Sequence, residues 1–147
     1  MNLNTRNYPP KSGIRVPADE MKTLLIRLFE AVDMRSSDAE ILANFLNIND
    51  RRCLFSHGMG QVPYYLQKIK DGLVNPRPDI AVVREAPGAL VMDGDGGLGY
   101  FPCYEGTKRI IEKARQGGVA VLTTRNHQHV GSAGNYTRMA VSENCIG

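Results

Sequence analysis

The pattern of apolar residues changes at the segment Asn75-Pro76-Arg77-Pro78, and this change most constrains the fold. Before it, apolar residues recur every three or four positions, which is the period of an amphipathic helix. After it, short runs rich in valine, isoleucine and leucine alternate with glycine-rich turns and with a further helical pattern. We therefore predict an α/β (α+β) fold, in which an N-terminal helical layer is followed by a mixed sheet with helices.

Three helices are predicted between residues 17 and 75, after an irregular arm at residues 1–16 in which prolines and glycine interrupt any periodicity. The second helix is expected to start at Ser37-Asp38-Ala39-Glu40, which has the spacing of a capping box. The third has Pro63 in its first turn, where a missing N–H is tolerated. Gly72 is the expected C-terminal stop of that helix.

The remaining part, residues 76–147, alternates strand and helix patterns. The predicted elements are a hairpin of strands at 79–83 and 89–92, a helix over 101–116, a buried strand at 119–123 and a last helix that Ser132 caps and that ends near Ser142.

Bulk composition excludes several classes of protein. A chain of 147 residues can bury the core of one or two compact units. Its net charge of +3, without a basic run, predicts neither a nucleic-acid partner nor a membrane surface. Cys53, Cys103 and Cys145 lack CxxC spacing, so a disulfide framework or a cysteine zinc site is not expected. No apolar run has the length of a bilayer span, and a cytoplasmic location is predicted.

His57 is the first candidate catalytic residue. It lies in Ser56-His57-Gly58, at the junction between two helical patterns, and loops at such junctions often carry functional groups. Imidazole can give or take a proton near neutral pH. His57 is therefore a candidate acid or base, and the alternative is a loop histidine bonded to a backbone carbonyl.

Gly94 to Gly99 matches GxGxxG, follows a predicted strand and precedes a predicted helix, which is the context of a dinucleotide-binding turn. However, Asp93 and Asp95 place negative charge where a pyrophosphate would sit. Arg125 stands where a ribose-binding acid is expected, although an arginine could meet a 2′-phosphate. The sequence favours a structural turn and leaves a phosphate site open.

A second histidine cluster, His127 and His129, lies in the predicted loop before the last helix. One interpretation is a metal site completed by His57, because three imidazoles can hold zinc. The other is a metal-free site in which His57, His129 or both transfer protons. Free N–H groups at the start of the following helix could bind an anion or a carbonyl oxygen.

Several separated motifs occur in one order along the chain. They are Asp50-Arg51-Arg52, Ser56-His57-Gly58, Tyr65, Gly72, Asn75, Pro78, Asp93-Gly94-Asp95, Gly97-Leu98-Gly99, Gly118-Val119-Ala120, His129 to Gly134 and Ile146-Gly147. Together they resemble the malate/L-lactate dehydrogenase family, which includes ureidoglycolate, sulfolactate and diketogulonate dehydrogenases. The resemblance extends from about Pro17 to the last residue and implies a fold that is not the Rossmann fold.

The resemblance also implies an activity and a site. The expected protein is a homodimeric oxidoreductase that uses NAD or NADP on a 2-hydroxy acid or its 2-oxo partner. Residues 17–75 would form its substrate-side domain and residues 76–147 the first part of its cofactor-binding domain. The implied roles are proton transfer by His57 with Ser56 as its relay, a second catalytic histidine at His129, substrate binding by Gln61 and Tyr65, and cofactor contact by Val130, Gly131, Ser132 and Ala133.

The chain departs from the family pattern at two positions and in length. Gln61 stands where the family usually has an arginine, which can grip a carboxylate with two hydrogen bonds. Cys53 replaces a usual glycine. Family chains continue well past Gly147, so an N-terminal portion is expected here. Two other hypotheses stay open: a metal-dependent hydrolase or lyase that uses His57, His127 and His129, and a non-catalytic remnant of the family.

Overall fold

The computed structural model describes residues 12–147, and the chain divides into two compact units between Leu73 and Val74. The predicted division between residues 75 and 76 lies beside this boundary. Most of the predicted arm falls outside the described residues. Its last part, residues 12–16, is exposed and belongs to no helix or strand.

The first unit, up to Leu73, contains three α-helices. They are α1 (Ala18–Glu30), α2 (Ser36–Arg51) and α3 (Val62–Lys70), with two 3-10 turns, Phe55–His57 and Met59–Gln61, between α2 and α3. Helices α1 and α2 pack against each other. The fully buried side chains of this unit include Leu25, Phe29, Leu42, Leu46 and Tyr65. The predicted helical layer is confirmed.

The predicted capping box of α2 is wrong. The helix begins at Ser36, so Ser37 already lies inside it, and the N-cap residue is Arg35. The Arg35 carbonyl accepts the N–H groups of Asp38 at 3.0 Å and Ala39 at 2.9 Å. The first turn is therefore closed by backbone bonds, and no side chain caps it.

Both predicted boundaries of α3 are confirmed. Pro63 lies in the first turn. At the other end, Gly72 has a φ of 70°, which a residue without a Cβ adopts at little cost. Leu73 N–H donates to Lys68 O at 2.9 Å and Gly72 N–H to Ile69 O at 3.0 Å, the two bonds of a Schellman motif.

The second unit, from Val74, is a three-stranded sheet with two helices. Strand β1 (Ala81–Ala86) pairs antiparallel with β2 (Ala89–Asp93), and β2 pairs in parallel with β3 (Val121–Arg125). Helix α4 (Tyr100–Gly117) connects β2 to β3, and α5 (Ala133–Ser142) follows β3. The predicted hairpin, mixed sheet and two helices are confirmed, and with them the fold class.

Two details of the second unit differ from the predictions. The strand predicted as buried is β3, and it is largely exposed: Val121 is 60% accessible, and Val119, just before the strand, is 75% accessible. The reason is that exposed and half-buried residues alternate along β3: the face with Leu122 lies against α4 at Gly106, whereas the face with Val121 is not covered within the described residues. Ser132 occupies the N-cap position of α5 as expected, but its side chain makes no capping hydrogen bond.

None of the helices between residues 12 and 147 combines the length and the apolar character needed to cross a bilayer.

Helix α4 packs on the sheet through Gly106. A Cβ atom there would lie 2.5 Å from Leu122 Cδ1 and 2.9 Å from Met92 Sδ, whereas one at Gly117, in the same helix, would meet nothing within 4 Å. Alanine favours a helix over glycine at both positions. We therefore expect Gly106→Ala to be about 1–3 kcal/mol less stable than the matched Gly117→Ala in denaturant unfolding. Equal stability of the two variants would contradict this close contact.

Candidate active site

The loop between α2 and α3 presents Ser56 and His57 as a hydrogen-bonded pair. Ser56 Oγ lies 2.8 Å from His57 Nδ1. Both residues are half-buried in the 3-10 turn Phe55–His57. A hydroxyl can accept a bond from a protonated Nδ1 or donate one to a bare Nδ1. Ser56 can therefore keep contact with the ring in either protonation state.

Two consecutive residues at the end of α2 contact this loop. Asn49 is 1% exposed, and its Nδ2 donates to the His57 carbonyl at 2.9 Å. Asp50 Oδ2 accepts the Met59 N–H at 2.9 Å. Burial raises the pKa of Asp50, and the bond from Met59 opposes that shift. The backbone on either side of Gly58 is thus attached to α2.

The two residues predicted to bind substrate differ in environment. Gln61 Nε2 donates to the Ser56 carbonyl at 2.7 Å, so its amide supports the serine that contacts His57. Tyr65 is fully buried, and its ring centroid lies 5.9 Å from that of Tyr64. Contact of either residue with substrate stays a prediction.

The GxGxxG segment of the second unit uses its N–H groups internally. Gly94 donates to Arg125 O at 2.9 Å, Gly96 to Asn126 O at 2.9 Å, Gly97 to Gly94 O at 2.9 Å and Gly99 to His129 O at 3.1 Å. In return, Gln128 N–H donates to Gly97 O at 2.9 Å. A phosphate cradle needs several backbone N–H groups that point at the ligand. The structural-turn interpretation of this motif therefore fits the observed bonds.

Asp93 connects the same two loops. Its Oδ1 accepts the Asp95 N–H at 2.9 Å and Asn126 Nδ2 at 2.8 Å, and its Oδ2 accepts Arg125 Nε at 2.9 Å. These contacts, the Asp95 N–H first, hold the pKa of Asp93 below its usual range. Arg125, considered above for a 2′-phosphate, pairs here with Asp93 while its side chain stays 61% exposed.

The two histidines of the second cluster have different surroundings. His127 Nδ1 lies 2.7 Å from the Gln128 carbonyl and Nε2 lies 2.8 Å from Thr124 Oγ1. A carbonyl only accepts, so Nδ1 carries the proton of that bond. His129 is exposed, and its ring lies nearly perpendicular to that of Tyr100 at a centroid distance of 6.5 Å. Across residues 12–147, no three histidine, cysteine, aspartate or glutamate side chains are grouped as metal ligands.

The segment predicted to contact the cofactor is held by two tyrosines. Gly131 has a φ of 75°, and a Cβ atom there would lie 2.3 Å from Tyr100 Cζ. The Val130 carbonyl accepts the hydroxyl of Tyr136. Ser132 is half-buried and Ala133 is exposed at the start of α5. The backbone path of residues 130–133 is therefore fixed, and part of it is accessible.

Sequence reasoning missed the residues that support these segments. Asn49 had a readable signal, because it follows Leu42, Phe45 and Leu46 at helical spacing and is therefore a polar residue on a buried face. No comparable sequence signal marks Tyr100 and Tyr136, because only the folded chain brings them next to residues 130 and 131.

A family model described as malate/L-lactate dehydrogenase matches residues 16–147. This chain belongs to that family. The solved malate dehydrogenase of Pyrococcus horikoshii OT3 superposes with a TM-score of 0.87 and 37% identity, over 92% of this chain and 39% of that chain. The sulfolactate dehydrogenase of Methanocaldococcus jannaschii superposes with a TM-score of 0.85 and 35% identity, over 89% of this chain and 38% of that chain.

Curated relatives give the same coverage. The malate dehydrogenase of Pyrococcus abyssi is 35% identical over 142 residues, which is 97% of this chain and 39% of the relative. The chain of this malate/L-lactate dehydrogenase family member therefore spans about two fifths of the length of such relatives.

Cys53, just after α2, has a φ of 60°. The left-handed region costs a residue with a Cβ about 1–2 kcal/mol. We expect Cys53→Gly to raise the free energy of unfolding by about 1 kcal/mol. Cys53→Ala, which removes the thiol and keeps the Cβ, is the matched control and should bring no gain. A gain from alanine equal to that from glycine would contradict the backbone explanation.

The lowered pKa of Asp93 predicts that the free energy of unfolding decreases in acid. Its ordinary pKa is 3.8, and the folded value is lower, so the ionised form stabilises the fold above that pH. This contribution is lost as the pH falls through the lower folded pKa. We expect the unfolding free energy to fall more steeply between about pH 5 and pH 2 in the wild type than in Asp93→Asn. Parallel profiles in denaturant unfolding would be the opposing result.

Proposed function

We propose that this protein is an NAD(P)-dependent oxidoreductase that transfers a hydride between nicotinamide and the C2 carbon of a 2-hydroxy acid or 2-oxo acid. The observation that carries the proposal is the Ser56–His57 pair, 2.8 Å apart, in a chain of the malate/L-lactate dehydrogenase family. Relatives are named for malate, sulfolactate and lactate, all 2-hydroxy acids.

His57 performs the proton transfer in this proposal. In oxidation it takes the proton of the substrate hydroxyl, and in reduction it returns the proton to the oxygen. When Nδ1–H donates to Ser56 Oγ, the basic lone pair is on Nε2, which is then the atom that receives the proton. In the imidazolium Nδ1–H still donates to Ser56 Oγ, so Ser56 keeps its hydrogen bond to the ring after the proton has been received.

His129 and the segment Val130–Ala133 are proposed to contact the cofactor. NAD or NADP, when bound, supplies the acceptor or donor of the hydride. The Ser132 side chain makes no capping bond, so first-turn N–H groups of α5 can meet an oxygen acceptor. The fixed backbone at Gly131 and the exposed ring of His129 fit a role beside such a group.

Gln61 and Tyr65 are proposed to act on the substrate side, with residues 17–75 as the substrate-side domain and residues 76–147 as the start of the cofactor-binding domain. A glutamine amide can hydrogen-bond to a carboxylate but does not neutralise it. Either a cation elsewhere in the protein therefore binds the substrate carboxylate, or the substrate differs from a simple 2-hydroxy acid. We further propose a cytoplasmic homodimer.

The test measures the oxidation of NADH and NADPH, by their absorbance, in the presence of 2-oxo acids that include oxaloacetate, pyruvate and sulfopyruvate. Each assay is run with and without a chelator. We expect turnover with at least one pair, unchanged by the chelator. His57→Ala should lower kcat by about 100- to 10,000-fold, because a positioned acid or base contributes that much. His129→Ala should also lower turnover.

Ser56→Ala should lower turnover too, since it removes the partner of Nδ1. Ser142→Ala is its matched control: Ser142 Oγ donates to the Met139 carbonyl on the exposed side of α5. No oxidation of either nucleotide with any acid would reject the proposed function. Full activity of His57→Ala would reject the role of His57, and loss of activity with chelator would favour the metal-dependent hypothesis.

A further inference from the structure

We infer that Asn49 and Asp50 are positioning residues that hold His57 in place through the backbone of its loop. The two residues are consecutive at the end of α2, and each contacts a different side of Gly58. The catalytic consequence rests on the proposed function of His57, whereas the structural part does not.

Asn49 holds the near side of the loop. Its buried Nδ2 donates to the His57 carbonyl at 2.9 Å, and its own carbonyl accepts the Leu54 N–H at 2.8 Å and the Arg52 N–H at 3.1 Å. One residue therefore ties the end of α2 to both the start and the end of the turn that carries His57. A buried amide that loses such a partner is left unsatisfied, and this cost opposes movement of the loop.

Asp50 holds the far side. Besides accepting the Met59 N–H, its carboxyl group fills the space next to Gly58: a Cβ atom on Gly58 would lie 1.7 Å from Asp50 Oδ1. The backbone can approach the carboxylate this closely only because residue 58 is glycine. Burial raises the pKa of Asp50, so an ionised carboxylate here costs stability. A group retained at such a cost is a candidate for a functional role.

Fixing the backbone at residues 57 and 59 fixes the direction in which the imidazole leaves the chain. The ring is then oriented by Ser56 Oγ at 2.8 Å, while Gln61 Nε2 holds the Ser56 carbonyl at 2.7 Å. Proton transfer requires the base within hydrogen-bond reach of the substrate oxygen. A displacement of about 1 Å can lower the rate about 100-fold.

The experiment compares Asp50→Ala, Asp50→Asn and Asn49→Ala in the full chain. Asparagine keeps an oxygen acceptor for the Met59 N–H, whereas alanine does not. We expect Asp50→Ala and Asn49→Ala to lower kcat by about 100-fold with little change in KM. Asp50→Asn should retain kcat within a few-fold. Asp71→Ala is the matched control, because Asp71 is the exposed C-cap residue of α3 and its carboxylate accepts a bond from Gln67 Nε2, away from the His57 loop.

Imidazole nitrogen chemical shifts, measured by NMR, give a readout independent of activity. The His57 signal is assigned by its absence in His57→Gln. It should move in Asp50→Ala and Asn49→Ala and stay in place in Asp50→Asn and Asp71→Ala. If an alanine variant fails to fold, hydrogen exchange of the Met59 amide in the wild type and in Asp50→Asn decides: protection supports the inference, and exchange at the rate of an open amide overturns it.

The remaining outcomes separate the two proposals. Unchanged kcat and unchanged His57 signals in Asp50→Ala would overturn the positioning role. Equal loss in Asp50→Asn and Asp50→Ala would also overturn it, because charge and not backbone position would then matter. A wild type without dehydrogenase activity would reject the proposed function, while the chemical shifts and the exchange of Met59 would still test the attachment of the loop.

Discussion

Both candidate site segments depend on backbone that approaches a neighbouring group too closely for a Cβ atom. In the first unit the neighbour of Gly58 is the carboxyl group of Asp50, and in the second the neighbour of Gly131 is the ring of Tyr100. Close packing at a glycine leaves the main chain little freedom to shift, because any displacement opens a void or creates a clash. In each unit glycine therefore lets the main chain of the segment lie directly against its neighbour, and the candidate site residues adjoin that contact.

The side-chain hydrogen bonds around the Ser56–His57 turn come mostly from neutral groups. The groups around His57 are a hydroxyl, two amides and one carboxylate that burial makes reluctant to ionise. The Ser56 hydroxyl can follow the ring through a change of protonation, because it both donates and accepts. Binding of the proposed substrate's carboxylate would instead favour a positively charged side chain, and the amide of Gln61 is neutral.

The sequence was sufficient for most of the fold, because periodicity, proline and glycine act locally. Pro63 and Gly72 bounded α3, and the hairpin followed from two β-prone runs around a turn. Predictions from the sequence were wrong where contacts between distant parts of the chain determine helix starts and strand burial. Ser37 matched a capping pattern, yet α2 starts one residue earlier, and β3 looked buried from composition although only one of its faces is covered in the described residues. For the site, the Ser56–His57 contact was expected, whereas Asn49 and the tyrosines near residues 130 and 131 depend on tertiary contacts.

The hydrogen bonds made by the backbone of the GxGxxG segment limit which ligands it can bind. Four hydrogen bonds join residues 94–99 to residues 125–129: Gly94 to Arg125, Gly96 to Asn126, Gly99 to His129 and Gln128 to Gly97. At about 0.5–1.5 kcal/mol each, admitting a pyrophosphate between them would forfeit about 2–6 kcal/mol before any new contact formed. A nucleotide would also meet the carboxylates of Asp93 and Asp95 there. The segment that matches a phosphate-binding motif thus uses its backbone donors to hold two loops of the second unit together.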